Sequence, residues 1–89
     1  MISIENVKTG KTPGWLRFDV RVVEGETEEL QLVIKGCSVS NYFLNGPYVR
    51  IGATWVPVVE IYGALRSAII KAMEPLKERF EEVKWPKDE

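Results

Sequence analysis

The spacing of apolar residues changes once along this chain, near residue 60, and this change sets the fold class. Before it, "WLRFDVRVV" (residues 15–23) alternates with period two, which is typical of a half-buried strand. After it, apolar residues recur every three or four positions and form one stripe of an amphipathic helix. The stripe consists of Ile61, Leu65, Ala68, Ile69, Ala72, Met73, Leu76, Phe80 and Val83. We therefore predict an α+β domain in which one helix covers one face of an antiparallel β-meander.

Turn-forming residues divide the first part of the chain into four to five strands. "ISIENVK" predicts the first strand, "TGKTPG" a turn, and "LQLVIKG" a strand with a bulge at Gly36. Further along, Gly46, Pro47, Gly52 and Pro57 break an aromatic and β-branched segment into short pieces. Proline cannot donate a ladder hydrogen bond, so both prolines should lie at strand ends or on an edge.

The helical stripe contains Pro75, whose ring clashes with the carbonyl four residues back. Because the stripe keeps its phase across this residue, we predict one long C-terminal helix that is kinked at Pro75 and not two separate helices. The inward side of the sheet should pack against this stripe. The expected contacts join Leu65, Ile69, Met73, Leu76 and Phe80 to Leu16, Phe18, Val20, Leu32 and Ile34.

Composition narrows the classes of function. The 89 residues predict a single domain over residues 1–89, and 12 basic against 13 acidic residues argue against binding driven by bulk positive charge. The sequence has no histidine and one cysteine, Cys37, so we expect no catalytic residues, metal site, cofactor or small-molecule substrate. The single cysteine, with no apolar run or signal-like start, predicts a cytoplasmic protein without membrane contact.

Three segments resemble the SpoVG family, small bacterial regulators named for sporulation and septation. "ISIENVKTGKTPGWLRFDVRVV" is similar to the family's opening strands, and "ALRSAIIKAM" to its C-terminal helix. In "LVIKGCSVSNYFLNGP", Phe43, Leu44 and Pro47 take the places of the family's F-[IV]-x-x-P. The resemblance implies nucleic-acid binding and a homodimer. The family's basic loop after the proline is replaced by "YVRIGATW", in which Arg50 is the one basic residue.

The resemblance also bears on the Asn45-Gly46 pair, which is a strong hairpin signal. It places the turn at Ser40–Asn41 and makes "FLNGP" the end of a strand. A two-residue turn at Asn45-Gly46 is the alternative.

The outward side of the second strand offers Trp15, Arg17 and Arg21, with Lys35 on the next strand and Arg50 further along. Aromatic and cationic side chains on a sheet can stack bases and neutralise phosphates. The alternatives are a solvated face on which Asp19 pairs with an arginine, and a dimer interface anchored by Trp15. We predict structural roles for two further residues. Trp55 should pack in the core, and Cys37 should be a small buried hydrophobe.

These observations lead to one hypothesis and one alternative. The hypothesis is a non-enzymatic, SpoVG-like regulator that binds DNA or RNA. The alternative is a protein-interaction or assembly domain that uses the open sheet face. A homodimer is expected in either case, because a short chain with one helix leaves the second sheet face uncovered.

Overall fold

The computed structural model describes residues 1–87, and it confirms an α+β fold. A four-stranded antiparallel sheet comes first, with its strands in chain order. Its strands are β1 (Ile2–Thr9), β2 (Leu16–Glu24), β3 (Leu30–Ser40) and β4 (Phe43–Asn45). A separate two-stranded antiparallel sheet follows, formed by β5 (Tyr48–Ile51) and β6 (Thr54–Pro57). The chain then enters helix α1 (Gly63–Ala72).

The core lies between one face of the four-stranded sheet and α1 with the segment that follows it. The alternation predicted for β2 holds over Leu16, Phe18 and Val20, which are all buried, but it ends there, because Val23 is buried and Val22 only partly so. The first three pack in one cluster with Ile69 and Met73 from the helical side. The other face of the sheet, which we call the outer face, carries the polar residues of β2 and β3.

The prediction that Leu32 packs in the core is wrong, because its side chain is 57% exposed. α1 lies against β1 and leaves this end of β3 uncovered, so Leu30 is exposed as well. Ile34, two residues further along β3, is buried as expected.

The predicted bulge at Gly36 is present, and a second bulge lies opposite it across β2. Phe18 pairs with Cys37 while Val20 pairs with Ile34, so Asp19 faces an extra residue in β3. Gly36 has a φ of +81°, and its N–H donates to Asp19 Oδ1 at 3.1 Å. On the other side, β1 shifts register after Glu5, and Asn6 donates from Nδ2 to Asp19 Oδ2 at 2.8 Å. One carboxylate therefore fixes the bulges on both neighbouring strands.

The helix is shorter than predicted. α1 ends at Ala72, and Glu74–Leu76 forms a 3₁₀ turn that contains Pro75. The proline has no N–H and its ring clashes with the preceding turn, so the α-helix stops instead of kinking. The rest of the stripe continues in turns closed by bonds such as Val83 N–H to the Phe80 carbonyl at 3.2 Å. Phe80 and Trp85 are both partly buried, and both pack against the core.

The Asn45-Gly46 pair is not a hairpin turn. Asn45 ends β4, and the turn between β3 and β4 is formed by Asn41 and Tyr42, which have φ values of +48° and +69°. The turn thus lies one residue beyond the predicted Ser40–Asn41 position. Two consecutive positive φ values match the twist of an antiparallel pair joined by a two-residue loop.

Residues 47–58, which we call the arm, form the β5–β6 hairpin apart from the main sheet. The Val58 N–H donates to the Pro47 carbonyl at 2.9 Å and closes its base, while Gly52 with a φ of +64° begins its two-residue turn. Both prolines lie at the ends of the hairpin, as predicted. Within residues 1–87, no helix is long and apolar enough to cross a membrane.

Candidate nucleic-acid interface

An open groove of about 810 Å³ lies on the outer face, between the sheet and the arm. It brings together three of the five predicted site residues, Trp15, Arg17 and Lys35. The remaining lining comes from the loop before β2, from β3, from the end of β4 and from the arm with its base: Gly10, Lys11, Thr12, Gly36, Ser38, Asn45, Gly46, Pro47, Tyr48 and Trp55.

A tight loop holds Trp15 at one end of the groove. The Gly10 N–H donates to the Trp15 carbonyl at 2.8 Å, and the Trp15 N–H donates to the Thr12 carbonyl at 3.2 Å. A Cβ placed on Gly10 would lie 2.7 Å from the Cβ of Trp15, so a larger residue does not fit there. Trp15 is 45% exposed, and it lines both the groove and a second hollow beside the same loop.

The arm supplies the opposite wall. Gly46 is buried at its base, where a Cβ would lie 2.1 Å from the Val59 carbonyl oxygen. Pro47 follows, and a Cβ on Gly36 would be 3.7 Å from the Cβ of Pro47, which places the arm's base over the β3 bulge. Tyr48 and Trp55 then extend from this base into the lining of the groove.

Among residues 1–87, the charged residues of the groove are all cationic. Lys11, Arg17 and Lys35 line it, and no carboxylate of this described part does. Among residues 1–87, none of these three side chains forms an ion pair. A second hollow, which shares Lys11 and Trp15 with the groove, is different in charge, because Glu78, Glu81 and Glu82 line it together with Arg79.

Asp19 lies on the outer face but does not pair with an arginine. Hydrogen bonds from Asn6 and from the Gly36 N–H lower the pKa of its carboxyl group, and the charges of Lys35 and Lys8 contribute less. The carboxylate is therefore bound to the two bulges. It leaves Arg17, two residues away on the same strand, without a carboxylate partner among residues 1–87.

The other two predicted site residues lie outside the groove. Arg21 donates from Nε and Nη2 to the two oxygens of Glu5, at 2.7 and 3.2 Å, and from Nη1 to Gln31 at 2.9 Å. This bidentate pair lowers the pKa of Glu5. Arg50 lies on the arm opposite Trp55 and donates from Nε to the Gly52 carbonyl at 3.0 Å.

The prediction that Trp55 packs in the core is wrong, because this residue is 61% exposed. The two prolines that bracket the arm, together with Gly52, mark a short hairpin that is separate from the main sheet. These signals could have indicated that Trp55 is exposed, whereas its place in the groove follows from the approach of the arm to the sheet. No sequence pattern marks Lys11 as a groove residue, because it lies in a loop.

Other kinds of site have little support among the described residues. No group of three or more metal-ligating side chains exists within residues 1–87. Cys37 is fully buried, as predicted, and burial raises the pKa of its thiol to about 11. A neutral, inaccessible thiol is a poor nucleophile.

No protein-family model, no curated protein and no solved structure matches this chain. The resemblance to the SpoVG family therefore stays a prediction.

Proposed function

We propose that this protein is a non-enzymatic nucleic-acid-binding regulator that takes a single strand of DNA or RNA into the groove. The observation that carries the proposal is the composition of the groove, to which the described residues contribute three aromatic side chains, three cations and no carboxylate. The resemblance to SpoVG regulators agrees with it. The reducing conditions of the cytoplasm suit a chain whose one cysteine is buried.

Each kind of side chain has a role in this binding mode. Trp15 and Trp55 are exposed and line opposite walls of the groove, and stacking of a base on an aromatic ring contributes about 1–3 kcal/mol. Lys11, Arg17 and Lys35 neutralise the phosphates between the stacked bases. Single strands are favoured over duplexes because their bases can unstack and reach the indoles.

The charge of the protein limits the strength of binding. The whole chain has a net charge of −1, so long-range attraction is weak and local contacts supply the affinity. Three phosphate contacts give a slope of log K against log salt of about −2 for single strands. We therefore expect modest affinity that falls clearly between low and physiological salt.

The test is a fluorescence titration with oligo(dT), oligo(U) and a DNA duplex across a series of salt concentrations. Trp15→Ala should weaken single-strand binding by roughly 5- to 150-fold, which is the range of one stacking contact. Arg17→Gln should reduce the magnitude of the salt slope by about 0.7. Lys71→Gln is the matched control, because Lys71 is exposed on α1 and lies outside the groove lining. Absence of binding at low salt would refute the proposal.

A protein-interaction domain is the second candidate, and a specific observation favours it. One face of the arm exposes Val49, Ile51, Val56 and Val58, whose exposed fractions range from 37% to 65%. Contiguous exposed apolar residues are typical of interaction surfaces. Binding to a protein partner without any nucleic-acid binding would favour this candidate.

A further inference from the structure

We propose that the groove selects adenine, and that Asn45 reads the edge of this base. Asn45 is the neutral end of a row of polar side chains on the bottom of the groove, which we call the floor row and which consists of Arg17, Ser38 and Asn45. The inference rests on the proposed single-strand binding and goes beyond it, because stacking and phosphate contacts by themselves accept any base.

The floor row crosses three neighbouring strands of the main sheet. Arg17 in β2 pairs with Ser38 in β3, and Ser38 pairs with Asn45 in β4. Residues directly opposite each other on antiparallel strands share one face of the sheet. Burial agrees with this placement, because Cys37 and Val39 on either side of Ser38 belong to the core. All three side chains of the floor row therefore lie on the outer face.

The polar groups of the floor row are not used within the protein. Ser38 and Asn45 are only partly exposed, yet within residues 1–87 neither side chain forms a hydrogen bond to another part of the chain. A hydroxyl both donates and accepts, and an amide carries N–H donors beside a carbonyl acceptor. These groups are therefore available to a ligand in the groove.

The charge of the floor row is concentrated at one end. Arg17 carries the positive charge, and Lys8, its partner on β1, continues this end. Asn45 is neutral and lies two strands away, about 10 Å from Arg17 at the usual strand spacing. A nucleotide has the same asymmetry, with an anionic phosphate at one end and a neutral, hydrogen-bonding base edge at the other. A nucleotide laid across the strands therefore has its phosphate at Arg17 and its base edge at Asn45.

Aromatic rings are available beside the neutral end of the floor row. Tyr48 follows Asn45 by three residues and lines the groove, as does Trp55. Because the arm is a wall of the groove, a base that stacks on the arm presents its edge to the floor. The amide of Asn45 then meets the hydrogen-bonding atoms at the edge of the base.

Adenine is the base that best matches an amide. An amide offers a donor and an acceptor side by side, and adenine presents the complementary pair on two edges, with its 6-amino group beside N1 and beside N7. Cytosine and thymine present such a pair on their Watson–Crick edge only. The N7 side of guanine has two acceptors, which leave the amide carbonyl without a donor. A bidentate contact of this kind discriminates against the wrong base by roughly 5- to 150-fold.

The experiment compares single strands of equal length that do not pair with themselves, d(CA)n, d(CT)n and oligo(dC), with the corresponding RNA set in parallel to identify which nucleic acid is bound. In fluorescence titrations at low salt, the Kd of d(CA)n should be about fivefold or more below the other two. Asn45→Ala should bring the three Kd values together. Lys35→Gln is the matched control, because Lys35 lines the groove as a cation and its loss should weaken all three strands by the same factor.

A change in the ligand tests the same contact if Asn45→Ala does not fold. A purine without the 6-amino group, placed at every adenine of d(CA)n, keeps the stacking surface and loses a hydrogen bond to the amide, so its Kd should rise toward that of oligo(dC). Equal affinity of the parent for all three strands would overturn adenine selection and leave the proposed function standing. A preference that persists in Asn45→Ala, or without the 6-amino group, would overturn the assignment to Asn45. Absence of binding to every strand would overturn the proposed function and this inference with it.

Discussion

Replacement of Gly46 by alanine should displace the arm while leaving the main sheet folded. The new Cβ would lie 2.1 Å from the Val59 carbonyl oxygen and 3.0 Å from its carbon. Non-bonded carbon and oxygen atoms need more than 3 Å, so the backbone on one side must move by about an ångström. Overpacking of this kind costs typically 1–3 kcal/mol.

The effect should be concentrated in the arm, because Gly46 joins β4 to β5 and Val59 follows β6. Two readouts separate this local change from general destabilisation. Amide hydrogen exchange should accelerate in residues 48–58 more than in β2. Single-strand binding should weaken, since Tyr48 and Trp55 lose their positions on the groove wall.

Gly52→Ala is the matched control. Gly52 has a φ of +64°, so alanine is strained there, but its Cβ would meet no atom within 4 Å. The cost should be on the order of 1 kcal/mol, which is the general cost of a left-handed conformation for an L-residue. If Gly46→Ala perturbed the arm no more than Gly52→Ala does, the close approach to Val59 would not be what positions the arm.

Three further predictions concern the core, the bulges and the thiol. Phe18→Ala should lower the free energy of unfolding by about 3–5 kcal/mol in a denaturant titration, because Phe18 is fully buried. Phe80→Ala should lower it by less, because Phe80 is only partly buried. Equal losses for the two variants would contradict this prediction. The pKa of the Asp19 carboxyl group is lower in the folded chain than in the unfolded chain, where it is near 4. The carboxylate therefore stabilises the fold above about pH 4, and this contribution is lost as the pH falls through the folded-state pKa. Asp19→Asn should therefore lose stability at neutral pH and show a weaker acid dependence than the parent, whereas parallel curves would refute the role of the carboxylate. Cys37 should resist a thiol reagent at pH 8 in the folded protein and react on unfolding, because its pKa is about 11 and it is buried; rapid labelling of the native protein would contradict this.

The elements that depend on local pattern could be predicted from the sequence. The alternation of Leu16, Phe18 and Val20 identified β2 and its buried face, and Gly36 marked the bulge. The end of the helix was missed because spacings of three and four suit 3₁₀ turns as well as α-helix, so the stripe continued past Pro75 without a helix. The exposure of Leu32 depends on where the helix docks, and a periodicity does not specify that.

The site was predictable to the extent that it lies on adjacent strands. Arg17 and Lys35 were assigned together because β2 and β3 share one outward face. Trp55 and Lys11 join them through the approach of an arm and a loop, which is a property of the tertiary fold. Arg21 has the right type and face, but its pairing with Glu5 follows from the register of β1, which no local pattern specifies.

The base of the arm is positioned by main-chain atoms. Gly46 approaches the Val59 carbonyl closely, and the Val58 N–H donates to the Pro47 carbonyl at 2.9 Å. The wall that carries Tyr48 and Trp55 is therefore placed by the backbone and not by the identity of those two side chains. The chemistry of the groove can change through substitutions at these two positions while the sheet and its core stay as they are.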